Sequence, residues 1–97
     1  SQICVEITNK FVKIIYSVKF QHALKKFPLA LVEKVIERTI LFEKNIFDSR
    51  LNTHKLHGKL KNLWSFSVNE KYRVLFQFGK NKKEVILLDV GDHGLYK

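Results

Sequence analysis

Two hydrophobic periods divide this chain. Between Ser17 and Phe42 apolar residues recur every three to four positions; between Trp64 and Val90 they alternate or run unbroken. The first pattern predicts helices. Ser17 can cap one in which Phe20, Ala23, Leu24 and Phe27 form an i, i+3, i+4, i+7 stripe. Pro28 breaks it and suits the first turn of a second helix. That helix has a wide apolar face of Leu31, Val32, Val35, Ile36, Thr39, Ile40 and Phe42. With almost no loop between them, the two helices form a hairpin. Ahead of it, Phe11–Tyr16 is β-branched and aromatic and predicts a strand. Within residues 1–10, Ile3, Val5 and Ile7 alternate with Cys4, Glu6 and Thr8, a pattern for an N-terminal extension or an edge strand.

The second pattern predicts a sheet. Trp64, Phe66 and Val68 alternate with Ser65 and Ser67; after Asn69–Lys71, Tyr72, Val74, Phe76 and Phe78 alternate with Arg73, Leu75 and Gln77. A turn at Gly79 and Asn81 leads to a mostly apolar strand, Glu84–Val90, which belongs at the centre of the sheet. The stretch from Lys44 to Lys61 is irregular and basic. The expected fold is α+β in one domain over residues 1–97. An N-terminal strand and an αα-hairpin precede a small antiparallel sheet of three to four strands, with the helices on one face. If Asn69–Lys71 is a three-residue loop, Ser67 opposes Arg73. Trp64, Phe66, Tyr72, Val74 and Phe76 then face the helices, and Ser65, Ser67, Arg73 and Gln77 share the open face. The loop with His54, His57, Lys59 and Lys61 enters that sheet, and the tail with His93 and Tyr96 leaves it, so titratable groups from three segments are expected to converge there.

Charge narrows the partner. Lys and Arg outnumber Asp and Glu by 18 to 9 in 97 residues, a net charge of +9 that favours a polyanion. The single cysteine, Cys4, forbids an internal disulfide and fits a reducing compartment. No apolar run reaches the roughly 18 residues of a membrane span, and the N-terminus lacks a signal-peptide order, so a cytoplasmic protein is expected, without a membrane partner.

RNA cleavage without metal needs a base for the 2′-hydroxyl, an acid for the departing 5′-oxygen, and cations around the phosphorus. Histidine serves either proton role, Arg73 offers a planar fork for phosphate, and Tyr96 can stack on an unpaired base. His54 and His57 have a metal-like i, i+3 spacing, but no second ligand pair accompanies them. No metal or cofactor is expected. Ser65 and Ser67 lie mid-strand, away from the sharp turn a serine nucleophile uses. His22 reads as a solvated helix residue, and Trp64 and Tyr72 as core.

The segments "THKLHGKLKNLWSFSVNEKYRVLFQF" and "VILLDVGDHGLYK", placed after an αα-hairpin, resemble the RelE/ParE superfamily of toxins over roughly residues 11–97, most closely its YafQ-type members. The resemblance implies a cytosolic bacterial or archaeal endoribonuclease that cuts mRNA on the ribosome, contacting rRNA. It also implies a cognate antitoxin that neutralises the enzyme in a hetero-oligomer. It makes His93 and His54 the matching catalytic histidines and Arg73 the phosphate-contacting arginine. His57, Lys59, Lys61, Tyr96 and Ser67 are then candidates for holding RNA. Three positions depart from the pattern: Ser67 stands where YafQ-type members carry a third histidine, RelE-like members carry lysines near Ser65 and Ser67, and Lys71 replaces an acidic turn residue. Two other functions remain open on sequence: a ParE-like inhibitor of DNA gyrase, and a plain RNA- or ribosome-binding module.

Overall fold

The computed structural model describes residues 12–60, 62–81, 83–92 and 95. The alternation in residues 1–10 and the start of the first expected strand at Phe11 lie outside them. Strand β1 (Lys13–Tyr16) leads into helix α1 (Val18–Lys25) and helix α2 (Leu29–Lys44). Strands β2 (His54–Lys55), β3 (Trp64–Ser67), β4 (Arg73–Phe78) and β5 (Glu84–Gly91) follow. The Ser17 hydroxyl accepts from Phe20 N at 3.1 Å, closing the first turn of α1, and donates to Leu88 O at 3.0 Å, fastening that helix start to β5. Pro28 is the N-cap of α2, one position ahead of the expected first turn.

The strands form a five-stranded sheet in the order β1-β5-β4-β3-β2. β2–β5 form the small antiparallel sheet of up to four strands that the sequence predicts, and the N-terminal strand β1 joins it as a fifth. β1 runs parallel to β5, with Tyr16 beside Leu87, because the helical hairpin and three strand reversals lie between them. β2 adds an antiparallel strand inside the stretch expected to be irregular, and at two residues it is too short to show a period.

One face of the sheet carries the core. Phe20 from α1 and Val35 and Phe42 from α2 pack with Phe66, Val74, Phe76, Val85 and Leu87. Phe42 is fully buried, stacked on Phe66 at 4.4 Å between centroids and edge-on to Phe76 at 4.9 Å. Aromatic pairs of this kind add about 0.5–1.5 kcal/mol each beyond the area they bury. Thr39, buried on the same helix, satisfies its hydroxyl on Val35 O at 2.8 Å. Tyr72 packs edge-on against Phe27 at 5.4 Å, as its inward register requires. The β3–β4 hairpin has the expected register: Ser67 opposes Arg73, and Val68 N donates to Tyr72 O at 2.9 Å. Within β5 the ladder to β4 slips by one residue: Leu87 opposes Phe76, Asp89 opposes Leu75, and Leu88 opposes neither. This bulge turns Val90 inward with Val85 and Leu87, and leaves Asp89 on the other face.

Candidate functional site

Two rows of residues cross the face opposite the core. In the first, His54 pairs with Ser65, Ser65 with Leu75, and Leu75 with Asp89; in the second, Ser67 pairs with Arg73 and Arg73 with Gly91. Cross-strand partners project to one side, so His54, Ser67 and Arg73 share a face that Phe66, Val74 and Phe76 do not. Strand spacings of about 4.8 Å and rises of about 3.4 Å per residue separate the His54 and Arg73 Cα atoms by about 12 Å.

The ring of His54 is oriented by its own loop. Its Nδ1 lies 2.9 Å from Asn52 O. A carbonyl only accepts, so Nδ1 carries the proton and donates, and in the neutral ring the Nε2 lone pair is left to take one. Asn52 has a left-handed backbone, φ 47°, which asparagine tolerates better than most residues. Its carbonyl thereby turns toward the imidazole. No pattern in the sequence marked Asn52 as a partner of His54.

Arg73 is fixed differently. Its Nη1 donates to Tyr72 O at 3.1 Å and to Asn69 O, tying the guanidinium to the hairpin turn. Asn69 stiffens that turn by accepting from Lys71 N at 2.9 Å and Tyr72 N at 2.8 Å. Two of the five guanidinium protons are thus engaged, and the Nε–Nη2 edge keeps the paired donors that match a phosphate.

The face is less open than its polar pattern predicts. Ser65 is fully buried and Leu75 is only 8% exposed. A Cβ placed on Gly91 would meet Leu95 Cδ1 at 3.7 Å, so Leu95 lies on this side of the sheet, where its N donates to Asp92 O at 3.0 Å. Leu95 therefore lies against the row that holds Arg73. His93 and Tyr96, and Lys61 in the loop before β3, lie outside the described residues. His57 and Lys59 are exposed on that loop and make no hydrogen bond or ion pair to either row among the described residues. Leu56 N donates to Leu63 O at 2.8 Å to close the loop, and Gly58 supplies a φ of 70° within it. Asp89 is engaged: Lys19 Nζ stands 3.4 Å from its Oδ2, and Val90 N donates to its Oδ1.

Comparison with known proteins adds a family. Residues 6–91 match the model of the HigB-like toxins, described as the RelE-like toxin of the type II toxin-antitoxin system HigB. The fold is similar to the toxin-antitoxin complex RelBE2 of Mycobacterium tuberculosis, with a TM-score of 0.73 at 18% identity over 86% of this chain and 99% of that one. It is similar to the archaeal RelE-RelB complex of Pyrococcus horikoshii, with a TM-score of 0.70 at 18% identity over 87% of this chain and 97% of that one. It is also similar to YafQ of E. coli, with a TM-score of 0.68 at 17% identity over 88% of this chain and 97% of that one. No curated protein sequence matches significantly.

Proposed function

The chain belongs to the HigB-like family of RelE-like toxins of type II toxin-antitoxin systems, and on that premise we propose that it is an endoribonuclease that cuts mRNA on the ribosome without a metal. The observation that carries the reading is the shared face of His54 and Arg73, with Leu95 packed against it. In this reading His54 Nε2 takes the proton of a 2′-hydroxyl, and the resulting oxygen attacks the adjacent phosphorus. The P–O5′ bond breaks, and His93 returns a proton to the departing 5′-oxygen. The products are a 2′,3′-cyclic phosphate and a 5′-hydroxyl end. The Nε–Nη2 edge of Arg73 meets the charge that builds on the phosphate oxygens. Lys59, His57 and Lys61 hold the flanking backbone, Tyr96 stacks on a base, and Ser67, paired with Arg73, lies within the same row.

The partner that restrains this activity is a cognate antitoxin. An apolar groove between the helices supports that part of the reading. It is lined by Tyr16, Phe20, Leu24 and Val35, and its rim residues Ile36 and Ile40 are about half exposed, 50% and 49%. Such a groove suits the apolar stripe of a partner helix.

Mapping RNA 5′ ends after a short induction tests the reading. New 5′-hydroxyl ends inside coding sequences, lost in His93→Ala and His54→Ala, are expected. Intact mRNA with a DNA-damage response would point to gyrase, and binding without new ends to a plain RNA-binding module; either overturns the proposal.

A further inference from the structure

A second cationic site lies on the helix-covered side of the molecule, away from His54 and Arg73. The C-terminal half of α2 and the 3-10 turn Ser49–Leu51 flank an open cavity of about 250 Å³ lined by Glu37, Arg38, Ile40, Leu41, Lys44 and Arg50. Both acids near it are already engaged. Glu37 Oε1 stands 3.5 Å from Lys34 Nζ. Asp48 is held by Arg50 through two side-chain hydrogen bonds, Nε at 3.0 Å and Nη2 at 2.9 Å. That leaves Lys44, the Nη1 side of Arg50 and the guanidinium of Arg38 outside any ion pair among the described residues, with Arg38 acting on Asp48, and Glu37 on Arg50, only through space. Arg38 also carries a buried Nε with no hydrogen-bond acceptor. A buried donor left unpaired costs free energy comparable to a lost hydrogen bond, and in a native protein it marks a position where an acceptor is to be found.

We infer that this cavity is a docking site for an RNA phosphate, used together with the face that carries Arg73. Phe47 favours RNA over an acidic peptide. It stands in the turn that joins Lys44 to Arg50, is 60% exposed, and is propped edge-on by Trp64 at 6.0 Å. An exposed ring on the segment that carries Arg50 offers a base a stacking surface, which a carboxylate-rich peptide does not use. The net charge of +9 attracts RNA from any direction, and the cavity gives one phosphate a defined seat. The cavity and the Arg73 row lie on opposite sides of the sheet, so an RNA strand that meets both wraps around the edge of the molecule.

The inference takes its ligand class from the ribonuclease reading, but its test does not depend on cleavage. The probe is a fluorescein-labelled 2′-O-methyl oligoribonucleotide of about 20 nucleotides, which has no 2′-hydroxyl to attack, read by anisotropy from low to moderate salt. For a single strand each phosphate contact contributes about 0.7 to the slope of log K against log salt. Lys44→Gln is expected to lower the slope by about 0.7, Arg38→Gln with Lys44→Gln by about 1.4, and the double variant to raise Kd about tenfold or more at low salt. Phe47→Ala should weaken binding without changing the slope, because stacking releases no counterion. Lys44 is exposed, so Lys44→Gln is a folded test even if a change at Arg38 disturbs α2. Slopes and Kd unchanged in Lys44→Gln and in the double variant would overturn the inference. So would a labelled polyglutamate peptide that binds the cavity more tightly than the RNA. Neither result bears on whether His54 and His93 cleave.

Discussion

Arg73→Lys isolates geometry from charge on the proposed catalytic face. The positive charge stays, but the fork is lost, and so is the pair of Nη1 hydrogen bonds that aims it from Asn69 O and Tyr72 O. An ammonium offers three rotatable donors on a flexible stem and no bidentate edge. Removing one oriented donor from a developing oxyanion costs about 10²–10³ in rate, roughly 2.7–4 kcal/mol. The loss in cleavage by Arg73→Lys is expected to fall in that range. Stability should fall only modestly. The two Nη1 bonds end on exposed or half-exposed backbone, where a net bond contributes about 0.5–1.5 kcal/mol and water replaces part of it. A combined loss of about 1 kcal/mol corresponds to a Tm drop of about 4–8 °C for a chain of this size. Cleavage of a reporter message in a purified translation system gives the rate, and circular dichroism melts give the stability. Full activity in Arg73→Lys would refute an oriented fork. Loss of activity accompanied by a collapse in Tm would show that Arg73 serves the hairpin instead.

Three further outcomes follow from the packing and the loops. Phe42→Ala removes the ring shared by Phe66 and Phe76 and should cost about 3–5 kcal/mol, read from urea melts; a loss below about 1 kcal/mol would mean that the core closes over the gap. The Asp48 carboxyl is held down to about 2, first by the side-chain hydrogen bonds from Arg50 and then by the backbone bond from Arg50 N. A depressed carboxyl stabilises the fold above its unfolded value of about 3.9, and that stabilisation fades as pH falls through about 2. Asp48→Asn should therefore melt below the parent at pH 7 and converge with it near pH 2; parallel curves throughout would exclude the ion pair as the cause. Gly58→Ala places a side chain at φ 70° where nothing lies within 4 Å, so its cost should be conformational alone, about 1–2 kcal/mol by chemical denaturation; no loss would mean that the loop adopts another backbone.

The strictest pattern in the chain produced the most accurate expectation. Period-two alternation on both sides of Asn69–Lys71 leaves one register that buries Phe66, Val74 and Phe76 together, and Ser67 does pair with Arg73. Where the pattern is loose, more was hidden. β5 is apolar on both faces, so the bulge at Leu88, which sets Val90 inward and Asp89 outward, leaves no trace in its composition. The pairing of β1 with β5 joins residues 71 positions apart, Tyr16 and Leu87, which no local window can see. The burial of Ser65 was equally hidden: its polarity and parity placed it on the open face, yet its side chain is fully buried there. Asp48 was legible in principle, as an acid two residues before an arginine at a turn start, but its place in a basic stretch concealed the cap it forms.

The two cationic surfaces differ in what fixes them. Arg73 is aimed before any ligand arrives, because backbone carbonyls of a hairpin turn occupy one end of its guanidinium and leave the other end outward. A group positioned in this way suits stabilisation of charge that appears during a reaction, since it needs no reorientation when the charge develops. Among the described residues Arg38 has no such anchor and its buried Nε lacks an acceptor, so its best geometry is reached when an anion enters. A group of that kind suits binding, where ordering of the side chain is offset by the contact it gains. Charge alone would make every lysine on this surface equivalent. The different anchoring of Arg73 and Arg38 predicts a split: substitutions at Arg73 act mainly on the rate of cleavage, and substitutions at Arg38 act mainly on RNA affinity and its salt dependence.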